Sequence, residues 1–233
     1  ALDCRPSRAA GSDPVDLAAQ RHFDGFRNRW FFDPVMGKGY PADMVDAYRR
    51  RGRIPNWDAL VRPGDLESIA TPIDFLGVNY YTSLAIGADN AETEDTGVPA
   101  GADPPPNYTE MGWPITPNAL TDYLTHLHDE YRPPTLVVTE NGASYSDGPG
   151  PDGIVRDERR IDYLRRHIDA VTAAHRDGVP VSGYFVWSLL DNLEWVEGYR
   201  QRFGLVYVDH ASGSRIPKES YRWYREFLRH RPR

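Results

Sequence analysis

Cysteine is almost missing from this sequence. Cys4 stands alone among 233 residues, which excludes an internal disulfide and any zinc cage built from thiolates. Long apolar runs are missing too: no uninterrupted hydrophobic stretch reaches the roughly 18 residues of a membrane helix. Positive charge is in the minority, with 27 Lys and Arg against 34 Asp and Glu and a formal net charge of −7. That balance speaks against a phosphate backbone as partner. The basic end Arg229-His230-Arg231-Pro232-Arg233 reads as a short solvated tail. No internal repeat and no signal peptide are visible, so the expectation is a cytoplasmic protein. The chain opens at Ala1-Leu2-Asp3-Cys4 without an initiator Met, and that expectation covers these residues alone.

What is present is the composition of a soluble globular chain, 40% hydrophobic and 26% charged. Residues 1–233 are long enough for one α/β domain with a sizeable core. Aromatic residues reach 12%, and the Trp and Tyr cluster. Rings with polar tips suit sugar surfaces as well as ordinary cores.

Thr135-Leu136-Val137-Val138-Thr139-Glu140-Asn141-Gly142 organises the rest. A short apolar run without polar alternation predicts a strand buried on both faces, as in a parallel sheet. Glu140 then falls at the strand end, the edge that carries chemistry in α/β folds. Ile73–Thr82 reads as a further strand, Val181–Ser188 as another of the buried type, and residues 1–12 as a strand end and loop. Helices are predicted from Asp13-Pro14 to about Trp30, over Asp43–Arg51 and around Asp65–Ala70. Another opens at Thr116-Pro117 with Leu120, Leu124, Leu127 and Tyr131 on its buried stripe. The next turns Ile161, Leu164, Ile168 and Val171 inward and finishes at Gly178. Phe31–Val35 reads as a turn, Gly87–Gly112 as a long loop and Phe203–Val208 as a short extended segment. Lys218–Arg229 reads as a closing helix with Tyr221, Tyr224 and Leu228 on one side. Strand, loop, helix, strand is the alternation of a parallel sheet. Four main strands are half of an eight-stranded barrel.

Three strand ends present polar groups: Asn79-Tyr80-Tyr81, Glu140-Asn141, and Trp187 through Trp195, where two indoles bracket Glu194. In a parallel barrel all three open on one face. From the residues alone, Glu140 and Glu194 form a carboxylate pair for acid–base work on a glycosidic bond. Such pairs stand about 5–5.5 Å apart when configuration is retained and wider when it is inverted.

These residues resemble glycoside hydrolase family 1, the β-glucosidase family. The resemblance rests on Thr139-Glu140-Asn141-Gly142, Asn79-Tyr80-Tyr81 and Trp187–Trp195. It extends through Asn28-Arg29-Trp30-Phe31-Phe32-Asp33-Pro34-Val35, Gly39-Tyr40-Pro41, Met111-Gly112-Trp113 and Arg202-Phe203-Gly204-Leu205. The fold it implies is a (β/α)8 TIM barrel, with this chain as the C-terminal half, about strands 5 to 8, in one domain. It makes Glu140 the nucleophile of a retaining β-glycosidase, oriented by Tyr81, with Asn79 in the same pocket. It moves Glu194 from acid catalyst to acceptor of sugar hydroxyls, with Trp187 and Trp195 as walls. Phe203 closes that site and Trp113 stacks on the leaving group.

One part of the family pattern is absent. The acid/base glutamate of a Thr-x-Asn-Glu-Pro motif has no counterpart, because no Asn-Glu-Pro occurs. The family's Gln, His-Trp and Asn contacts from the first strands are absent too. The missing half, or self-association, is therefore an expected partner, beside a small-molecule β-glycoside or oligosaccharide. No nucleic acid or membrane is expected. No metal or organic cofactor is expected, and the seven His residues show no ligand spacing. An intact Glu194-Trp195 favours a neutral glycone such as glucose, galactose or fucose. Arg200 is the one nearby cation that could answer an anion.

Overall fold

The computed structural model describes residues 1–92 and 105–230. The predicted Gly87–Gly112 loop and the basic tail therefore fall partly outside the described residues. In chain order the elements are β1 (Leu2–Cys4), β2 (Ser7–Ala9), α1 (Pro14–Asp24), α2 (Trp30–Val35), α3 (Ala42–Arg50), α4 (Trp57–Leu60) and α5 (Asp65–Ile69). They continue with β3 (Leu76–Tyr80), β4 (Leu84–Ile86), α6 (Pro117–Tyr131), β5 (Leu136–Asn141), α7 (Glu158–Arg176) and β6 (Val181–Val186). The chain closes with β7 (Val206–Val208), β8 (Arg215–Pro217) and α8 (Glu219–Arg229).

Four strands form one parallel sheet in the order β1-β3-β5-β6. Leu76 pairs with Leu136, and Val138 with Tyr184. Successive side chains on a strand point to opposite faces. One face carries Cys4, Leu76, Val78, Tyr80, Leu136 and Val138, all buried against Leu120, Leu124 and Leu127 of α6 and Ala170, Val171 and Ala174 of α7. The inner face is open. Val137 of β5 lies beside Gly183 of β6, where an added Cβ would sit 3.2 Å away, and Phe185 next to it is 60% exposed.

Strand β6 was expected to be buried. It is half exposed instead, because it ends the sheet and has a paired neighbour on one side only. The first helix also runs further than Trp30. It passes through a π-helical turn at Gly25–Arg29 and continues as α2 to Val35. Two contacts account for this. Met44 of α3 packs so closely on Gly25 that a Cβ there would lie 2.4 Å from its sulfur. The Phe32 ring, buried in α2, stacks on Tyr131 at 5.7 Å.

Smaller differences follow the same logic. Leu228 is exposed, and the buried residue of α8 is Ser220, drawn in by Asp157. Ile161 is only half-buried, whereas Arg160, Tyr163 and His167 are buried on α7. Helix α4 and the small β2–β4 and β7–β8 sheets were not expected. At α6, the Thr116 hydroxyl does not cap its helix. It accepts from the Ser83 N–H at 2.9 Å and meets the Tyr80 hydroxyl, tying the helix to the end of β3.

Candidate active site

The ends of β3, β5 and β6 converge on one cavity of about 420 Å³, within the range of small-molecule sites. All eight residues singled out from the sequence line it: Asn79, Tyr81, Trp113, Glu140, Trp187, Glu194, Trp195 and Phe203. Strand β5 delivers Glu140 opposite Asn79 of β3. Asn141, the next residue, is fully buried and locked. Its amide donates to the Tyr80 carbonyl at 2.7 Å and to the Tyr163 hydroxyl at 3.1 Å, and its oxygen accepts from Tyr184 at 2.6 Å. Thr139, two residues before Asn141, donates to Asn79 at 2.6 Å. Glu140 therefore stands between residues pinned on both sides.

The Tyr81 hydroxyl donates to Glu140 Oε2 at 2.6 Å. Burial, then the carboxylate it donates to, raises the Tyr81 pKa well above the usual phenol range, so it remains a donor. Its ring stands edge-on to Phe203 at 5.9 Å and 5.6 Å from Trp113, so three rings cluster beside the carboxylate. Burial raises the pKa of Glu194, and the charges of Glu140 and Glu197 add to it. Hydrogen bonding from the Trp187 indole partly offsets these effects.

The loop after β6 brings Glu194 and Trp195 to the cavity mouth. Trp195 lines the cavity and is still 85% exposed, and Val196 beside it is 98% exposed. Gly142, directly after the strand end, is the reason Trp187 can come so near. A Cβ there would meet the Trp187 carbonyl oxygen at 1.9 Å.

Sequence reasoning missed Asp3, Arg5, Met111, Val196 and Glu197, which also line the cavity. Asp3 and Arg5 are two apart on and just past β1, so they share its inner face; that spacing was a usable signal. The Arg5 guanidinium bonds Asp3 at 2.8 Å and lies 5.1 Å from the Trp113 ring. Glu197 carries a clearer lesson. It is ion-paired with Arg200, so the one cation suspected of meeting an anionic sugar is engaged inside its own loop.

A parallel sheet with its polar residues gathered at one strand edge defines this chain as an α/β barrel protein of the TIM type, present as half of the barrel. The chain belongs to glycosyl hydrolase family 1, whose family model matches residues 4–232. It is 44% identical over 227 residues to a bifunctional beta-D-glucosidase/beta-D-fucosidase of Bifidobacterium breve, with 91% of this chain and 48% of that protein covered. It is 40% identical to beta-glucosidase A of Thermotoga maritima, covering 92% of this chain and 46% of the relative. Among solved structures, the AHE enzyme of Alicyclobacillus herbarius superposes with a TM-score of 0.86 at 39% identity, covering 99% of this chain and 50% of the other. A family 1 β-glucosidase of Thermotoga maritima in complex with isofagomine lactam gives 0.83 at 38% identity, covering 97% and 49%. The chain spans about half the length of the curated relatives it matches.

Proposed function

We propose that this chain is the nucleophile-bearing half of a retaining β-glycosidase that releases terminal β-D-glycosyl residues from small glycosides or oligosaccharides. The observation that carries the reading is the Tyr81–Glu140 hydrogen bond inside an indole-lined cavity. A buried phenol that stays protonated fixes one carboxylate oxygen and steadies its charge. Glu140 attacks the anomeric carbon from this position. The leaving oxygen takes a proton from an acid supplied by the complementary half, and a covalent glycosyl–enzyme forms. The same outside group then deprotonates water, which releases the sugar with its configuration retained.

Glu194 accepts hydrogen bonds from sugar hydroxyls, strengthened by its charge. Trp187, Trp195 and Phe203 wall the glycone position, and Trp113 stacks on the leaving group. The Glu194 carboxylate repels a phosphate, and Arg200 is occupied by Glu197, so the glycone is neutral.

A complete barrel, made by joining this chain to the half that the resemblance places ahead of Ala1, should turn over aryl β-D-glucosides. A 2-deoxy-2-fluoro glycoside should label it on Glu140. Label on Glu194 instead reverses the two roles, and label on neither refutes the mechanism.

A second reading is a sugar-binding half-barrel that does no chemistry, for which the cavity walls Trp187, Trp195 and Phe203 would suffice. Sugar binding by the complete barrel without turnover favours it.

A further inference from the structure

The two loops that make the site, one after Glu140 and one after Trp187, are joined behind the cavity by a single buried cation. Arg160 of α7 is 1% exposed. Its Nε donates to Asp157 Oδ2 at 2.9 Å. One terminal nitrogen donates to the Ala143 carbonyl and, at 3.3 Å, to the Phe203 carbonyl. The other donates to the Tyr145 carbonyl at 3.2 Å and the Arg202 carbonyl at 3.0 Å. Ala143 and Tyr145 follow the Glu140 strand end by three and five residues. Arg202 and Phe203 close the loop that carries Glu194 and Trp195.

Five N–H groups in a fixed planar fork suit this task, and a lysine ammonium cannot reproduce the pattern. The fork itself is held in place. Asp157 takes Arg160 on Oδ2, together with the Ser220 hydroxyl at 2.5 Å, and takes the Ser220 N–H on Oδ1 at 2.9 Å. A second buried pair stiffens the far side. Asp191 accepts from Lys218 at 3.0 Å, Arg202 at 2.8 Å and the Gly204 N–H at 2.9 Å. An added Cβ on Gly204 would lie 2.2 Å from the Asp191 nitrogen, so the loop root has no slack.

We propose that Arg160 is a positioning residue: by bonding the carbonyls of Ala143, Tyr145, Arg202 and Phe203 together, it sets the separation between the attacking Glu140 and the loop that grips the sugar. The inference rests on the glycosidase reading for its consequence in turnover, but not for its mechanical part. If the joint loosens, the sugar still binds while its anomeric carbon sits misplaced relative to Glu140. Misplacements of about 1 Å cost on the order of 10²-fold in rate.

The test compares Arg160→Lys, which keeps the charge and loses the fork, with Asp157→Asn, which keeps the guanidinium and loosens its anchor. Hydrogen exchange in the complete barrel should quicken at least about tenfold in residues 143–147 and 201–205 of both variants, with β5 unchanged. In the complete barrel, active sites are counted by 2-deoxy-2-fluoro glycoside labelling. Turnover per counted site should fall about 100-fold in Arg160→Lys, with KM within about threefold of the parent. A merely structural role would lower the number of sites and leave turnover per site intact. That outcome, or exchange that speeds up uniformly across the chain, overturns the proposal. A barrel whose parent shows no turnover refutes the glycosidase reading, and the exchange arm still decides whether Arg160 joins the loops.

Discussion

The Tyr81 hydroxyl lies 2.6 Å from Glu140 Oε2, although the two residues are 59 positions apart, Tyr81 just past the end of β3 and Glu140 on the neighbouring β5. The relationship follows from the sheet. Val78 pairs with Val138 but Asn79 with Glu140, so Thr139 is one extra residue in β5. This bulge turns Glu140 toward the face that carries Asn79, and the Tyr81 ring two residues further on reaches its carboxylate from there. Hydrogen bonds to a charged group are worth about 1.5–3 kcal/mol. In the complete barrel, Tyr81→Phe should therefore lower kcat by roughly 10- to 100-fold with the fold intact. A kcat within twofold of the parent would show that the phenol does not serve Glu140.

Glu194 and Glu140 line one cavity but meet different surroundings. Glu194 is paired with an indole donor, and its raised pKa follows from burial first. In its proposed role as an acceptor from sugar hydroxyls, it should matter for affinity. Glu194→Gln should weaken glucose binding to the complete barrel by roughly 10- to 100-fold, the loss of a charged acceptor. Glu140→Gln should abolish turnover and bind glucose nearly as the parent does. Calorimetric titration of both variants separates the roles, and equal losses of binding would merge them.

His167 is buried on α7, stacked on Tyr163 at 3.9 Å, with Nδ1 bonded to the Tyr163 carbonyl and Nε2 without a partner among the described residues. Burial lowers its pKa to about 4. The folded state thus binds fewer protons than the unfolded state between about 4 and 6.5, so stability rises with pH across that window and is lost as pH falls through it. The full effect is about 3 kcal/mol. Urea midpoints measured from pH 4 to 7.5 should show this slope in the parent and a flatter one in His167→Gln. Parallel slopes would assign the acid sensitivity elsewhere.

Much of this was legible from local patterns. The Leu136-Val137-Val138 run ended by Glu140 gave the strand and its chemical edge, since a buried parallel strand leaves no alternation to misread. The Leu120, Leu124, Leu127 stripe gave α6 for the same reason. Hydrogen bonds and ion pairs between distant residues were not legible. Arg160 reaches carbonyls up to 43 residues away, and Lys218 reaches Asp191 across 27. Carbonyl acceptors have no sequence signature. The half-exposed β6 was misread because its residues are those of a central strand while its place is an edge. The pairing of Arg200 with Glu197 was not legible, because it shows only once the turn at Gly198 is made.

Gly142 is conformationally ordinary, so its requirement is space. A methyl group there would meet the Trp187 oxygen at 1.9 Å. Gly142→Ala should cost about 1–3 kcal/mol by overpacking and should push the Trp187 side of the cavity outward. A melting temperature equal to the parent would mean that the two strand ends are looser than they stand here.

The open inner face bears on how the protein exists. Phe75, Phe185, Leu189, Leu193, Trp195 and Val196 are large apolar side chains left exposed, and β1 and β6 each pair on one side only within their sheet. Unpaired strand edges and contiguous apolar surface promote association unless covered. The complementary half of a barrel would cover both at once, since two edges and one inner surface are what closure removes. The chain alone should therefore self-associate and bind a hydrophobic dye strongly, and adding the complementary half should yield a 1:1 species with little dye signal. Trp195 fluorescence should shift to the blue as its indole leaves water. A sharp monomer peak with cooperative melting and weak dye binding for the chain alone would show that this half needs no cover, and the proposed dependence on a second half would fall with it.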